Sequence, residues 1–451
     1  MPSTTFNIIN FGCRATQADG AALEEAFLND SYQKAVQWRH SDIVVINTCT
    51  VTHAADAEAR AMIRRVHREN PRARLVVTGC YAQRAPGDLA AIEGVSCVIG
   101  NSHKDQLVSI LTRSNREREN SAEFPDDKHT SASGASVYCS SIFESRELRA
   151  IGDAGGAGRT RPVLKIQDGC SYRCSFCVIP YVRGDSRSLT SDEVLRQTRR
   201  LLDQGFKEIT LTGIHLGGYG RDLKQKGNLA QLARRILLED RLRRLRLSSV
   251  EPLEYTDDLI ELIAESPKMA KHFHVPLQSG SDRILRLMRR PYTADFYRRL
   301  VEKMRRSVPD AAIGADVMVG FPTETAADHA ETMALIDITP MTHLHVFPYS
   351  RRPGTAAASM QPLVRSEVVS ERSLQLRDLA GRKNQKFKEA FVGRKMEVVT
   401  LGWQSKEGAT EALSSNYLKV TLEAAEIQSN EWIQALITGV TAEELLAQIT
   451  S

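Results

Sequence analysis

The segment QDGCSYRCSFCVIPYVRGDSRS, Gln167–Ser188, carries three cysteines, Cys170, Cys174 and Cys177, at spacing C-x3-C-x2-C just after the apolar run Pro162–Ile166. Three thiolates on one short loop can hold three irons of a cubic 4Fe–4S cluster, whose usual complement is four cysteines. One missing ligand leaves one iron open, the same logic that separates a reactive zinc site from a closed structural one. Tyr172, Phe176 and Tyr181 would surround such an iron with aromatic surface, which suits a chelating substrate. A zinc loop would need a fourth Cys or His nearby, and none follows within about two dozen residues.

Upstream of this loop, strand-like runs alternate with helical stretches. FNIIN (Phe6–Asn10) ends in Gly12-Cys13, IVVIN (Ile43–Asn47) in Thr48-Cys49, and LVVT (Leu75–Thr78) in Gly79-Cys80. Helices are expected near Asp19–Asn29 and Ala54–Asn70, the second stopped by Pro71. Short β-branched runs separated by helices argue for a parallel sheet, and ligands of such sheets gather outside the carboxyl ends of the strands. Cys13, Cys49 and Cys80 each follow a strand end, so topology would assemble a second three-thiolate site from distant segments. Cys97, in VSCVIG, lacks this placement and reads as a packed core thiol; Cys139 lies in low-complexity sequence and reads as incidental. Arg64, Arg65, Arg68, Arg72 and Arg74 form a basic stretch that reads as a solvated face. Apolar periodicity is lost between about Ser114 and Gly158, which reads as a linker.

Downstream, a strand–helix unit repeats. Strand-like runs occur at Val163–Gln167, Glu208–Gly213, Arg244–Val250, His272–Gln278, Ile313–Gly320 and His343–Tyr349, with helices between them. Six units are too few for a closed eight-stranded barrel and predict an open partial one. Its chemistry belongs at the carboxyl ends of the strands, where Thr212, His215, Ser248, Ser249, Glu251, Gln278, Ser279 and Asp316 fall. The loop GIHLGGYG (Gly213–Gly220) lacks the dinucleotide-binding order and reads as a place where backbone approaches a cofactor. RLRRLRL (Arg241–Leu247) alternates as a strand with one basic face. After a basic helix at Leu363–Ala390, the runs Met396–Leu401, Tyr417–Glu423 and Ile433–Val440 predict a small β-barrel, a type that often binds nucleic acid. From Phe391 onward, however, four basic side chains face eight acidic ones, a poor balance for gripping phosphates.

Composition sets the outer bounds. With 451 residues, 42% hydrophobic and 25% charged, the chain has room for two or three ordinary globular domains. No apolar run approaches the ~18 residues of a membrane span, and MPSTTFNIINFGC lacks a signal-peptide layout. A cytoplasmic enzyme is expected, its eight cysteines serving as metal or redox groups in place of disulfides. The net charge of +5 permits a polyanionic partner without requiring one.

Taken together, these stretches resemble the radical S-adenosylmethionine methylthiotransferases of the MiaB, RimO and MtaB type across nearly the whole chain. The resemblance rests on FGCRATQADGAALE, VVINTCTVTHAADAEARAMIRR, VVTGCYAQ, the cysteine loop, LSSVEP, HVPLQSGSDRILRLMRRPYT, DVMVGFPTET and HVFPYSRRPGTAA. INTCTVT, IRRVHRENP, KIQDGC and HVFPYSRRPGTAA are most similar to the MtaB branch, whose substrate is threonylcarbamoyl-adenosine beside the tRNA anticodon. The isopentenyl-adenosine branch shares the Gln278 loop, the ribosomal-protein branch typically reads differently there, and an iron–sulfur RNA-binding sensor is the non-enzyme alternative.

The resemblance implies an α/β chain: an N-terminal parallel-sheet domain (1–114), a linker (115–158), a radical-SAM partial (β/α)6 barrel (159–390) and a TRAM-like β-barrel (391–451). It implies two 4Fe–4S clusters, one on Cys170, Cys174 and Cys177 that cleaves S-adenosylmethionine, and one on Cys13, Cys49 and Cys80 that carries the sulfur. Gly213, Ser249, Glu251 and Gln278, by their strand-end placement, are the expected S-adenosylmethionine contacts. Implied partners are tRNA, a flavodoxin- or ferredoxin-like electron donor and a sulfur source, with no membrane. Met288–Tyr292 and Arg351–Arg352 are the expected RNA contacts. Thr16 and Ser171 stand where the family usually has Asn, and Leu189 where it usually has Arg; these bear on tuning of the clusters and remove no ligand.

Overall fold

The β-branched runs at the front of the chain pack as a parallel sheet whose inner strands, Ile43–Thr48 and Arg74–Gly79, are buried. The computed structural model describes residues 4–119, 129–130, 134–148, 160–404, 408–423 and 427–450. In spatial order the strands are Gln33–Lys34, Thr5–Asn10, Ile43–Thr48, Arg74–Gly79, Val95–Ile99, Ser136–Tyr138 and His129–Thr130, all parallel to their neighbours except the last. Ile43–Thr48 is buried along its whole length, as a central parallel strand covered by helices on both sides must be. Val44 and Ile46 meet Ile63 and Val66 of helix His53–Glu69 on one face. On the other, Ile43 and Val45 meet Leu23 and Phe27 of helix Arg14–Asn29. Cys97 is packed within this second core.

The stretch 115–158 is not all connection. Helix Leu107–Glu119 runs into it, and Ser136–Tyr138 extends the first sheet by pairing in parallel with Val95–Ile99. Residues 120–128, 131–133 and 149–159 of that stretch lie outside the described residues.

The six expected barrel strands are present as two parallel groups of three. Arg244–Leu247, Glu208–Thr212 and Val163–Lys165 form one, and His272–His274, Ala312–Val319 and His343–Pro348 the other. The bridge Leu245–Met269 joins them. Among the described residues no strand pairing joins the first and sixth strands, and contacts from the N-terminal domain reach both. Asp19 pairs with Lys165 on the first strand, while Asp56 pairs with Arg352, just beyond the sixth.

The run Arg241–Leu247 divides: Arg241 and Arg243, ahead of the strand, are exposed, whereas the strand's own arginines turn inward. Arg244 and Arg246 are buried, with Arg246 Nε donating to Glu208 at 2.9 Å and Arg244 Nη1 at 3.3 Å. Arg246 also donates to the Ser414 and Ser415 carbonyls, at 3.2 and 3.1 Å, and so anchors the C-terminal domain.

That domain is a closed barrel of Lys395–Gln404, Thr410–Ser414, Lys419–Leu422, Leu445–Ile449 and Trp432–Val440. Its turn at Ser414–Tyr417 lies against the amino ends of the larger barrel's strands: Lys271 N donates to Ser415 Oγ, and Asn416 Nδ2 to the Asp310 carbonyl. The Tyr417 ring packs 4.9 Å from that of His272, and its hydroxyl accepts from Arg14 at 2.8 Å. Among the described residues no helix is long and apolar enough to cross a membrane.

Candidate metal centres

Strand topology brings Cys13, Cys49 and Cys80 to one edge. They follow Thr5–Asn10, Ile43–Thr48 and Arg74–Gly79, which are adjacent in the sheet and in register, Asn10 with Asn47 and Thr48 with Gly79. Glycine is required at two approaches. Gly12, at φ +102°, would drive a Cβ to 2.9 Å from Cys49 Sγ, and Gly79, at φ +101°, to 2.3 Å from the Thr48 carbonyl oxygen. Burial, then the neighbouring Cys80, pushes the Cys49 thiol up to about 12. Thr16 still reaches Cys13, with Oγ1 at 3.6 Å from Sγ, despite standing in place of Asn.

The local loop is held by its backbone. Cys170 N donates to the Gly184 carbonyl, Cys177 N to that of Cys174, and Ser175 N to that of Met288, at 3.0, 3.1 and 3.0 Å. Burial, then Cys174, pushes the Cys177 thiol up to about 12. Arg290 Nη1 lies 3.4 Å from Cys174 Sγ and its guanidinium is braced by Glu251. His215 lies between Cys170 and Glu254, its Nε2 3.3 Å from the carboxylate. Burial pulls the imidazole down, but the neighbouring Cys170 and Glu254 outweigh this and push it up to about 9.

The two trios share a wall. Helix Ile179–Arg183 follows Cys177 directly, and its Ile179 and Val182, with the adjoining Val178, pack on Cys80. Asn101 Nδ2 donates to the Val182 carbonyl at 2.8 Å and lies 3.6 Å from Cys80 Sγ.

The donor chemistry fits iron–sulfur clusters at both places. Cysteine binds metal as the thiolate, and a buried guanidinium stands by one sulfur of each trio, Arg183 Nε 3.2 Å from Cys80 Sγ and Arg290 Nη1 3.4 Å from Cys174 Sγ. Among the described residues, no group of three or more His, Cys, Asp or Glu is gathered closely enough to hold a single metal ion.

The expected cofactor contacts divide. Gln278 is buried, has φ +67°, and its Oε1 is an acceptor without a hydrogen-bond partner among the described residues. Such an orphaned buried atom at a strand end suits a polar ligand. Glu251 braces Arg290, and Ser249 is exposed. The glycine-rich loop packs inward: a Cβ on Gly213 would meet Gln167 Oε1 at 2.7 Å, one on Gly217 the Glu254 Cβ at 2.3 Å, and one on Gly218 the His215 ring at 2.9 Å.

The expected RNA contacts are also split. Arg290 and Arg352 are buried, the first beside Cys174 and the second on Asp56, whereas Arg289 and Arg351 are exposed. The reason is the alternation of neighbouring side chains between a packed and a solvated side. Four histidines escaped notice in the sequence. His272, His274, His343 and His345 line one wall of the barrel around Asp316, with His274 Nε2 3.2 Å from its carboxylate. The repeats HFH and HLH in adjacent strands were the available signal, since a period of two points alternate residues to one face.

The profile described as Radical SAM superfamily matches residues 164–336, and that described as Uncharacterized protein family UPF0004 matches residues 5–100. Threonylcarbamoyladenosine tRNA methylthiotransferase MtaB of Bacillus subtilis (strain 168) is 36% identical over 418 residues, 92% of this chain and 89% of that one. The protein of the same name from Aquifex aeolicus (strain VF5) is 37% identical, covering 91% of this chain and 95% of its own. tRNA-2-methylthio-N(6)-dimethylallyladenosine synthase of Thermobifida fusca (strain YX) is 34% identical, covering 88% and 78%. In fold, the chain is similar to the radical S-adenosylmethionine methyltransferase TsrM of Kitasatospora setae, with a TM-score of 0.58, 17% identity, and coverage of 79% of this chain and 75% of that one.

Proposed function

The chain belongs to the radical S-adenosylmethionine tRNA methylthiotransferases, and on that premise we propose that it adds a methylthio group at carbon two of threonylcarbamoyl-adenosine beside the tRNA anticodon. Support for this base over its isopentenyl relative comes from two relatives named for the threonylcarbamoyl substrate, at 36% and 37% identity, while one relative named for each substrate stands at 34%. The observation that carries the reading is the shared wall: one short helix, Ile179–Arg183, follows Cys177 in the chain and packs on Cys80 of the other trio. Sulfur insertion at an unreactive carbon needs a radical source and a sulfur carrier within reach of one substrate, which two adjoining thiolate sites provide.

Cys170, Cys174 and Cys177 would hold one 4Fe–4S cluster and Cys13, Cys49 and Cys80 the other. Bound there with S-adenosylmethionine, these groups supply one-electron cleavage of the sulfonium and a site for the transferable sulfur; that chemistry is the cofactors' own. The chain's residues orient and exclude. Arg290 and His215 fix the sulfurs of Cys174 and Cys170, and Gln278 offers its free acceptor to the cofactor. Ile284, Met288, Phe321 and the half-buried Phe176 form an apolar patch that keeps water from the loop. Tyr417 and its arginine neighbours close the barrel at the amino ends of its strands. The substrate base enters from the opposite mouth, in a cytoplasmic setting with a one-electron donor and a sulfur source.

Nucleoside mass analysis of tRNA from cells lacking this protein tests the substrate. Loss of methylthio-threonylcarbamoyl-adenosine is expected. Loss of the methylthio-isopentenyl nucleoside alone would assign the chain to the sister substrate.

A further inference from the structure

Arg183 is 1% exposed, and its three guanidinium nitrogens address three different segments. Nε lies 3.2 Å from Cys80 Sγ. Nη1 donates to both carboxylate oxygens of Asp168, at 2.9 and 3.1 Å, two residues before Cys170. Nη2 donates to Asp19 Oδ2 at 3.0 Å, on the helix that Cys13 opens. One planar fork therefore fixes the dispersed trio against the loop, which a flexible ammonium could not do at three points.

The charge count around it is uneven. Lys104 Nζ lies 3.0 Å from Asp19, Lys165 contacts Asp19 and sits 2.9 Å from Asp168, and Arg183 contacts both. The buried Lys104 and Arg183 and the largely buried Lys165 thus share two buried carboxylates, and the buried Arg187 adds a further positive charge near Asp168. An uncompensated buried charge is costly, and the remaining partner in reach of Arg183 is the Cys80 sulfur. A guanidinium so placed favours the more negative, reduced state of whatever that thiolate ligates, since hydrogen bonds to cluster sulfurs and nearby charge are recognised levers on potential.

We propose that Arg183 is a positioning residue that holds the Cys13–Cys49–Cys80 centre against the radical-generating loop and raises the reduction potential of the cluster bound there. The inference rests on the two-cluster reading above. A structural ion pair alone would support the domain interface without moving a potential.

The test uses full-length protein with Cys170, Cys174 and Cys177 all replaced by Ala, so that only the dispersed centre can bind iron. In that background, Arg183→Gln and Arg183→Lys are reconstituted anaerobically, assayed for iron, and titrated by electron paramagnetic resonance. Iron content is expected to stay at about four per chain, with the midpoint moved to more negative potential in the Gln form and part of the way in the Lys form. Should Gln disturb folding, the Lys form alone still decides. An unmoved midpoint with full iron in either folded variant overturns the role of Arg183 and leaves the two-cluster reading intact. Absence of iron from the parent lacking the loop cysteines overturns both.

Discussion

Arg183 and Cys80 are 103 residues apart in sequence, yet Nε and Sγ lie 3.2 Å apart inside the molecule. Arg290 repeats the arrangement at the other centre, 3.4 Å from Cys174 Sγ across 116 residues. Each trio of cysteines thus has one buried guanidinium on one of its sulfurs, delivered from a distant segment. This parallel makes the arginines as informative as the ligands.

Replacing Arg290 by Met should lower 5′-deoxyadenosine formation under reducing conditions by roughly 10–100-fold, the usual loss when a ligand's supporting hydrogen bond is removed. Glu251→Gln, which leaves the guanidinium in place but weakens its brace, should lose less. Equal activity of Arg290→Met and parent would show that the contact with Cys174 is incidental.

How much of this could be read in advance depends on whether the signal was local. The cysteine loop is contiguous, and β-α alternation puts three cysteines at strand ends, so the strand-end placement of Cys13, Cys49 and Cys80 and the six barrel strands were legible. Arg183 lay in plain view in the segment Gln167–Ser188, but its partners Asp19 and Cys80 come from another domain, and no sequence period marks that. Arg290 and Arg352 misled for the opposite reason: a basic pair suggests a polyanion, while one member of each pair turns inward to a buried partner. The two extra strands of the C-terminal barrel, Thr410–Ser414 and Leu445–Ile449, are short and were missed.

Breaking the Asp56–Arg352 pair should destabilise the protein, because both side chains are buried where the N-terminal domain meets the far lip of the barrel. Arg352→Ala is expected to cost about 3–5 kcal/mol in chemical unfolding, toward the lower end because Arg84 still contacts Asp56. A cost below about 1 kcal/mol, the range of an exposed pair, would place the pair on the surface in solution.

The exposed neighbours behave differently. Arg289→Ala with Arg351→Ala should leave unfolding unchanged, weaken tRNA binding, and reduce the slope of log affinity against log salt by about one for each phosphate contact removed. An identical slope in parent and double variant would remove both arginines from the RNA surface.

The histidine wall predicts an acid-sensitive fold. Burial, then His274 and His345, holds the His343 imidazole down to about 3, and burial with Arg246 and His343 holds His272 well below its ordinary value. The unfolded chain takes up protons at these sites near pH 6.5 while the folded chain does not. Stability is therefore fully present above about pH 6.5 and falls as pH drops toward 3, by up to about 1.4 kcal/mol per pH unit for each such group. His343→Gln should flatten the fall in urea midpoint between pH 7 and pH 5. A slope equal to that of the parent would mean that His343 is solvated.

The most direct test of the account is the iron content and product profile of anaerobically reconstituted protein with Cys13, Cys49 and Cys80 replaced together by Ala. The parent should bind about eight irons and this variant about four, as expected for two 4Fe–4S clusters and for one. The variant should still form 5′-deoxyadenosine while transferring no methylthio group to tRNA. About eight irons together with undiminished methylthio transfer would contradict the two-centre account.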